Sequence, residues 1–169
     1  SLDGSGFPGS YENITLTAPW SGEGVKVGNS AYYISNSWGN GYISYTVPEG
    51  YENEVFTVQI TTVSGSYGSG NLTVESTQTA AVGYQFNYGN THTWLVTAST
   101  GDQITITSTD SSYSPDMSMV KVYAGDVNDL NSLKAPQEQG DAGYRLVTGI
   151  TDKQYTVKEL SEAGTLYYR

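Results

Sequence analysis

Cysteine is absent from all 169 residues, so neither a disulfide nor a thiolate zinc site can contribute to this chain. Histidine is nearly absent too, His92 being the only one. Positive charge is scarce, with seven Lys and Arg against seventeen Asp and Glu and a formal net charge of -10. A phosphate backbone or an anionic membrane surface would be repelled by that field, and no Lys/Arg cluster opposes it. Nucleic acid is therefore not an expected partner. Charged residues of both signs make up 14% of the chain, well under the roughly 25% usual for soluble domains. No run approaches the roughly 18 apolar residues that span a bilayer as a helix, so no transmembrane segment is expected. Nothing at the start has the charged-then-apolar form of an export signal. Ser1 to Gly6 reads as a chain trimmed after export, or at an arbitrary edge.

Ser, Thr, Asn, Gly and Tyr occupy the space that charge leaves. Fifteen Tyr accompany only three Phe, so most large rings carry a hydroxyl, which suits partly wet surfaces. Lack of cysteine fits a cytosol as well as a bacterial exterior. The hydroxyl- and amide-rich style selects the exterior, and we expect a secreted or cell-surface protein.

Alternation with period two recurs along the chain, while helical spacing hardly appears. Strands are expected at Asn13–Thr17, Tyr42–Val47 (stopped by Pro48), Glu54–Thr62, Asn71–Ser76, Tyr84–Tyr88, His92–Ala98, Gln103–Ser108 and Met119–Tyr123. In Glu54–Thr62 the residues Val55, Val58 and Ile60 are expected to face the core, with a bulge near Phe56 and Thr57 restoring phase. Ser99 to Asp102 reads as a hairpin connection, because Gly101 accepts positive φ. Val127–Leu133, capped by Asp126 or Asn128, is the one helix candidate and is equally readable as a turn. A single sheet would leave an apolar face wet, so the strands imply an all-β, two-sheet antiparallel sandwich. Ala135–Ala142 reads as a linker, followed by strands at Tyr144–Thr148, Gln154–Val157 and Thr165–Arg169.

Catalysis finds little support. One histidine and no cysteine leave few ways to activate a nucleophile. His92 reads as an outward polar strand position beside Trp94, and no Gly-x-Ser-x-Gly elbow exists. Carboxylates mostly fall in turns (Glu49, Glu52, Glu54, Asp102, Asp110, Asp116), where Asp commonly bonds local backbone N–H groups. We therefore expect no enzyme activity. Among metals only calcium suits the composition, because loop carboxylates, amides and carbonyls supply its oxygens without a linear motif. Asp126–Asp129 has part of a calcium-loop pattern but lacks the following Gly and the distal Glu, so a structural calcium is an option without a defined ligand set.

Sugar binding is the most specific chemistry in view. Sugars lay C–H faces on aromatic rings and offer hydroxyls to amide and carboxylate partners. Two segments carry both kinds of group. Ala31–Gly41 places Tyr32, Tyr33 and Trp38 near Asn36 and Asn40; Asn87–His92 places Tyr88 near Asn87, Asn90 and His92. The competing reading is that Tyr suits strands and that Trp20, Trp38 and Trp94 fill the core. Trp94, within Thr-Trp-Val alternation, reads as core.

Tyr42–Gly50, Trp94–Thr107 and Ser114–Asp126 together resemble accessory β-sandwich domains near the C-terminus of exported Bacteroidetes proteins, often beside peptidase domains and similar to galactose-binding-type jelly rolls. The resemblance spans about residues 10–126 and is one of style. Ile150–Arg169, with Tyr155, Leu160, Gly164, Thr165 and Tyr167, resembles the middle of a fibronectin type III repeat, whose later strands are missing here. These resemblances imply a jelly-roll sandwich over 1–126 and a linker plus partial fibronectin type III-like strands over 127–169. They imply two functions: a non-catalytic module that attaches a larger exported protein to glycan or a host surface, or a structural spacer for neighbouring domains with no ligand of its own.

Overall fold

The computed structural model describes residues 12–28, 31–34, 41–65, 68–109 and 114–129. They form eleven strands: β1 (Glu12–Asn13), β2 (Trp20–Glu23), β3 (Val25–Gly28), β4 (Ala31–Ile34), β5 (Tyr42–Thr46), β6 (Glu54–Thr62), β7 (Gly70–Ser76), β8 (Val82–Phe86), β9 (Thr91–Ala98), β10 (Gln103–Ser108) and β11 (Met117–Ala124). No helix occurs among the described residues, and none is long and apolar enough to cross a membrane.

Two antiparallel sheets pack face to face. One has the order β1-β3-β4-β11-β6-β9, the other β2-β5-β10-β7-β8. Only β3–β4 and β7–β8 are neighbours both in sequence and within a sheet; every other connection crosses between sheets. That repeated crossing is the jelly-roll form of sandwich. Period-two alternation decides what each strand buries. On β10, Ile104 and Ile106 are buried between more exposed Gln103, Thr105 and Thr107. On β9 it is Trp94, Val96 and Ala98 that are buried. Tyr45, Phe56, Phe86, Ile34, Ile43, Ile60 and Leu72 are among the largest fully buried side chains.

Several expectations are corrected. On β6 the buried series is Phe56, Val58 and Ile60, while Val55 is 39% exposed. Phe56 has the larger apolar area, and its burial sets the phase. β6 pairs with β9 without a break from Glu54↔Ala98 to Thr61↔Thr91; the irregularity lies in β11, between Met117 and Met119. Thr57 is also fully buried, because the chain leaving β11 closes over it: Thr57 Oγ1 donates to Gly125 O at 2.6 Å and accepts from Val127 N at 3.0 Å.

Ser99–Asp102 is a tight turn, with Asp102 N donating to Ser99 O at 2.9 Å and Gly101 at φ 87. It is not a hairpin, since β9 and β10 belong to different sheets. Val47 draws the turn across, accepting from Gly101 N and donating to Asp102 O, both at 2.9 Å. Strands β2, β3 and β4 were not expected, and of Asn13–Thr17 only Asn13 lies in a strand, as the second residue of β1. Asp126 Oδ1 accepts from Asn128 N at 2.9 Å, the bond of an Asx turn. The structure there is a turn; residues 130–133 and the expected strands beyond lie outside the described residues.

Candidate functional site

The crossing topology sorts the loops to two ends. Hydrogen bonds tie together the exits of β4, β6, β8 and the approach to β11. Ile34 N donates to Ser114 Oγ at 2.7 Å and Ser114 N to Ile34 O at 2.8 Å. Val63 N donates to Asp116 O, and Gly89 N to Val63 O, each at 3.0 Å. The opposite end gathers the turns around Pro48–Asn53 and Ser99–Asp102, where Asn53 N donates to Ser99 Oγ at 2.7 Å and Gln78 Nε2 to Asp102 Oδ2 at 2.8 Å. Gly125, leaving β11, joins that end by donating its N–H to Val55 O at 2.7 Å.

The two ends differ in chemistry. Glu49, Glu52, Glu54, Asp102, Asp126 and Asp129 cluster toward the second end. At the first, the described carboxylates are Asp116, which is buried, and the exposed Glu23, paired with Tyr42 on the far flank from Tyr88. The first end carries instead the turn from Asn87 to Asn90, on which Tyr88 is 57% exposed.

That turn is braced from several sides. Asn87 N donates to Asn90 Oδ1 at 2.9 Å, closing the turn on itself. Asn90 Nδ2 donates to Tyr84 Oη at 3.0 Å. Thr62 Oγ1 donates to the Asn87 and Asn90 carbonyls at 3.1 and 3.3 Å, and Thr62 N reaches Asn90 O at 3.0 Å. Gly89 holds φ at 75, a left-handed conformation that glycine adopts without penalty. The Tyr88 ring rests over Gly68: a Cβ at that position would lie 3.3 Å from Tyr88 Cδ1 and 1.8 Å from Val63 O. The Val63 carbonyl oxygen is what excludes a side chain there.

Behind the turn, β8 and β9 are the edge strands of their respective sheets on the same flank. Rings close the gap between them. Tyr84 and His92 stack at 3.7 Å and 6°; Trp94 meets His92 edge-on at 4.7 Å and 89°. Phe86 packs edge-on against Tyr84 at 4.9 Å, and Trp94 Nε1 ties the two edges by donating to Val82 O at 2.9 Å. Burial among these rings lowers the His92 pKa from its ordinary value, so the imidazole is neutral at pH 7.

The expected site residues are therefore divided. Tyr88, Asn90 and His92 come together at the first end. Asn90 serves as the internal brace, its oxygen and nitrogen both engaged. His92 turns toward the rings rather than outward, and among the described residues no hydrogen bond joins it to a Ser hydroxyl or a carboxylate. Tyr32 and Tyr33 are strand residues of β4, 2% and 5% exposed, and cannot serve as platforms. Asn36, Trp38 and Asn40 lie outside the described residues. Sequence reasoning missed Tyr84, Thr62 and Gly68. Tyr84 was findable, because Tyr84/Phe86 and His92/Trp94 place two rings at period-two spacing on each side of the turn. Among the described residues no three of His, Cys, Asp and Glu group as metal ligands.

The geometry defines a two-sheet β-sandwich with an exposed ring and flanking amides on a turn at one end. No protein-family model matches the chain, and no curated protein matches it. Solved structures do. A family 35 carbohydrate-binding module from Clostridium thermocellum is 14% identical, with 69% of this chain and 89% of that one covered at a TM-score of 0.44. A second, from Cellvibrio japonicus, is 13% identical over 67% and 81%, also at 0.44. The K1 cleaved adhesin domain of Lys-gingipain from Porphyromonas gingivalis is 15% identical over 71% and 94%, at 0.39.

Proposed function

We propose that this chain is a non-catalytic carbohydrate-binding or adhesion module of a larger exported bacterial protein, secreted or held at the cell surface. Its ligand contact is the Tyr88 end of the sandwich. The observation that carries the reading is Tyr88 itself: a large ring, 57% exposed, fixed by a turn that Thr62, Asn90 and Gly68 hold from three sides. A turn held in one backbone conformation before binding needs little further ordering when a sugar C–H face settles on its ring. The exposed Asn87 beside it supplies an amide for sugar hydroxyls. Asn36, Trp38 and Asn40, outside the described residues, stay in the proposed ligand set on their residue types alone, an aromatic ring between two amides.

The spacer alternative draws on the burial of Tyr32, Tyr33 and Trp94, which removes three rings from any binding surface. Exposure of Tyr88 weighs the other way.

The test is a glycan array probed with the purified protein, with and without calcium, alongside Tyr88→Ala. Specific binding is expected for the wild type and not for the variant. Melting should be nearly unchanged, since an exposed ring contributes within about 0.5 kcal/mol. Silence across the array, or binding that Tyr88→Ala leaves intact, overturns the reading.

A further inference from the structure

We infer that the sandwich bears tension: a pull between the Tyr88 turn and the chain beyond β11 runs along the strands and is resisted by whole ladders at once. This rests on the glycan reading above for which end meets the ligand, and goes beyond it in what the module does once held there.

Strand order and direction carry this. The turn Asn87–Asn90 stands at the first end, and β9 begins there at Thr91. The chain leaves the sandwich at the second end, where Gly125 N donates to Val55 O and Val127 N to Thr57 Oγ1. Between these two points lie three neighbouring strands, β9, β6 and β11. β9 pairs with β6 from Thr61↔Thr91 to Glu54↔Ala98, and β6 pairs with β11 from Met117↔Thr62 to Ala124↔Phe56. An outward pull on Tyr88 draws β9 by its first residue toward the first end. A pull on the chain after Asp129 draws β11 by its last residue toward the second. Each strand is then drawn along its own axis past β6. The bonds of an antiparallel ladder stand perpendicular to the strands, so an axial pull loads them together, whereas prising two strands apart from one end opens them in turn.

Both points of attachment are fastened to the middle strand. Thr62 N and Oγ1 hold the carbonyls of the Tyr88 turn, so load reaches β6 directly as well as through β9. At the exit, the buried Thr57 hydroxyl of β6 holds Gly125 and Val127. β6 is itself keyed into the core by Phe56, Val58 and Ile60, all fully buried, so sliding along it also disturbs close packing. The entry through β1 offers a weaker path, since β1 is two residues long and stands at the margin of its sheet. The load is therefore assigned to the β11 exit.

The chain has no cysteine, so one introduced thiol is a unique handle for force measurement. The full chain carries its second handle after Arg169, and the thiol is placed by Tyr88→Cys in one variant and Glu52→Cys in another. Glu52 is exposed and precedes β6 at the second end. Pulling there and at the C-terminus holds β6 and β11 from the same end and unzips them. Both substituted positions are exposed, so both variants should melt as the wild type does; Glu49→Cys, exposed in the same connection, replaces Glu52→Cys if that variant melts low. In an optical trap at one loading rate, the sandwich is expected to rupture at a force about twofold higher or more through Tyr88→Cys. Rupture is recognised by the length released, which the residues between the thiol and β11 set. Equal forces, or a lower force through Tyr88→Cys, overturn the inference and leave the glycan reading untouched, because neither handle involves a sugar. Silence on the glycan array with a twofold force difference overturns the glycan reading and leaves the strand mechanics standing.

Discussion

His92 has ring faces and edges for neighbours, from Tyr84, Phe86 and Trp94. Protonating it in place would put a charge into partly desolvated surroundings, and its pKa is lowered for that reason. The sign of the linkage follows. Above the unfolded value of about 6.5 the imidazole is neutral in both states, and the stacking contributes fully. As pH falls through that value the unfolded chain takes up a proton that the folded chain resists, so stability is lost until the lower folded pKa is passed. Melting temperature measured between pH 7.5 and pH 5 should therefore fall further for the wild type than for His92→Phe, which keeps a ring and removes the titration. Parallel pH profiles would show that the imidazole is not coupled to folding. At this scale Tyr88 was legible as an exposed ring between Asn, Gly and Asn. The burial of Tyr32 and Tyr33 was not, because Ala31–Ile34 has no alternation: all four positions are buried.

Among elements, the strands that alternate strongly were readable from sequence alone. Glu54–Thr62 and Gln103–Ser108 occur with the expected bounds, since β-branched residues at every second position suit a half-buried strand. β2 and β3 escaped because Ser21, Gly22, Gly24 and Gly28 are weak strand formers. They are strands by virtue of their partners, β2 lying along β5 and β3 along β4, and partners are not visible in a local window. The Ser99–Asp102 turn was legible as a turn, yet its geometry alone does not say to which sheet the next strand goes. A similar non-local contact fixes the exit of β11, where the buried Thr57 hydroxyl joins Gly125 O and Val127 N. Thr57→Val keeps the shape and leaves both backbone groups without that partner. We expect a loss of about 1–3 kcal/mol, seen as a lower denaturant midpoint at unchanged m-value. A loss below about 0.5 kcal/mol would mean that water replaces the hydroxyl and the clasp is dispensable.

At the scale of the molecule the question is how far the cooperative unit extends. Among the described residues, the buried core cluster runs from Trp20 to Ala124, and the strands of both sheets lie within Glu12–Ala124. Beyond β11 the chain is held to this core by the Thr57 clasp, and a turn bond runs from Asp129 N to Asp126 O at 2.8 Å. We propose that the sandwich domain ends near residue 126 and that residues 127–169 form a linker with partial fibronectin type III-like strands. On that view a chain stopped after Asp129 keeps the clasp, loses no core side chain, and melts within about 2 °C of the full chain, since about 1 kcal/mol corresponds to roughly 4 °C for a domain of this size. It also keeps Tyr88-dependent binding. The alternative, in which strands after residue 142 extend one of the two sheets, predicts a different outcome. Removing them would expose a sheet edge and the apolar surface they cover, so the shortened chain would melt many degrees lower and tend to associate through the freed edge. Calorimetry of the two lengths side by side separates these cases, and a large drop for the shorter chain would move the domain boundary past residue 142.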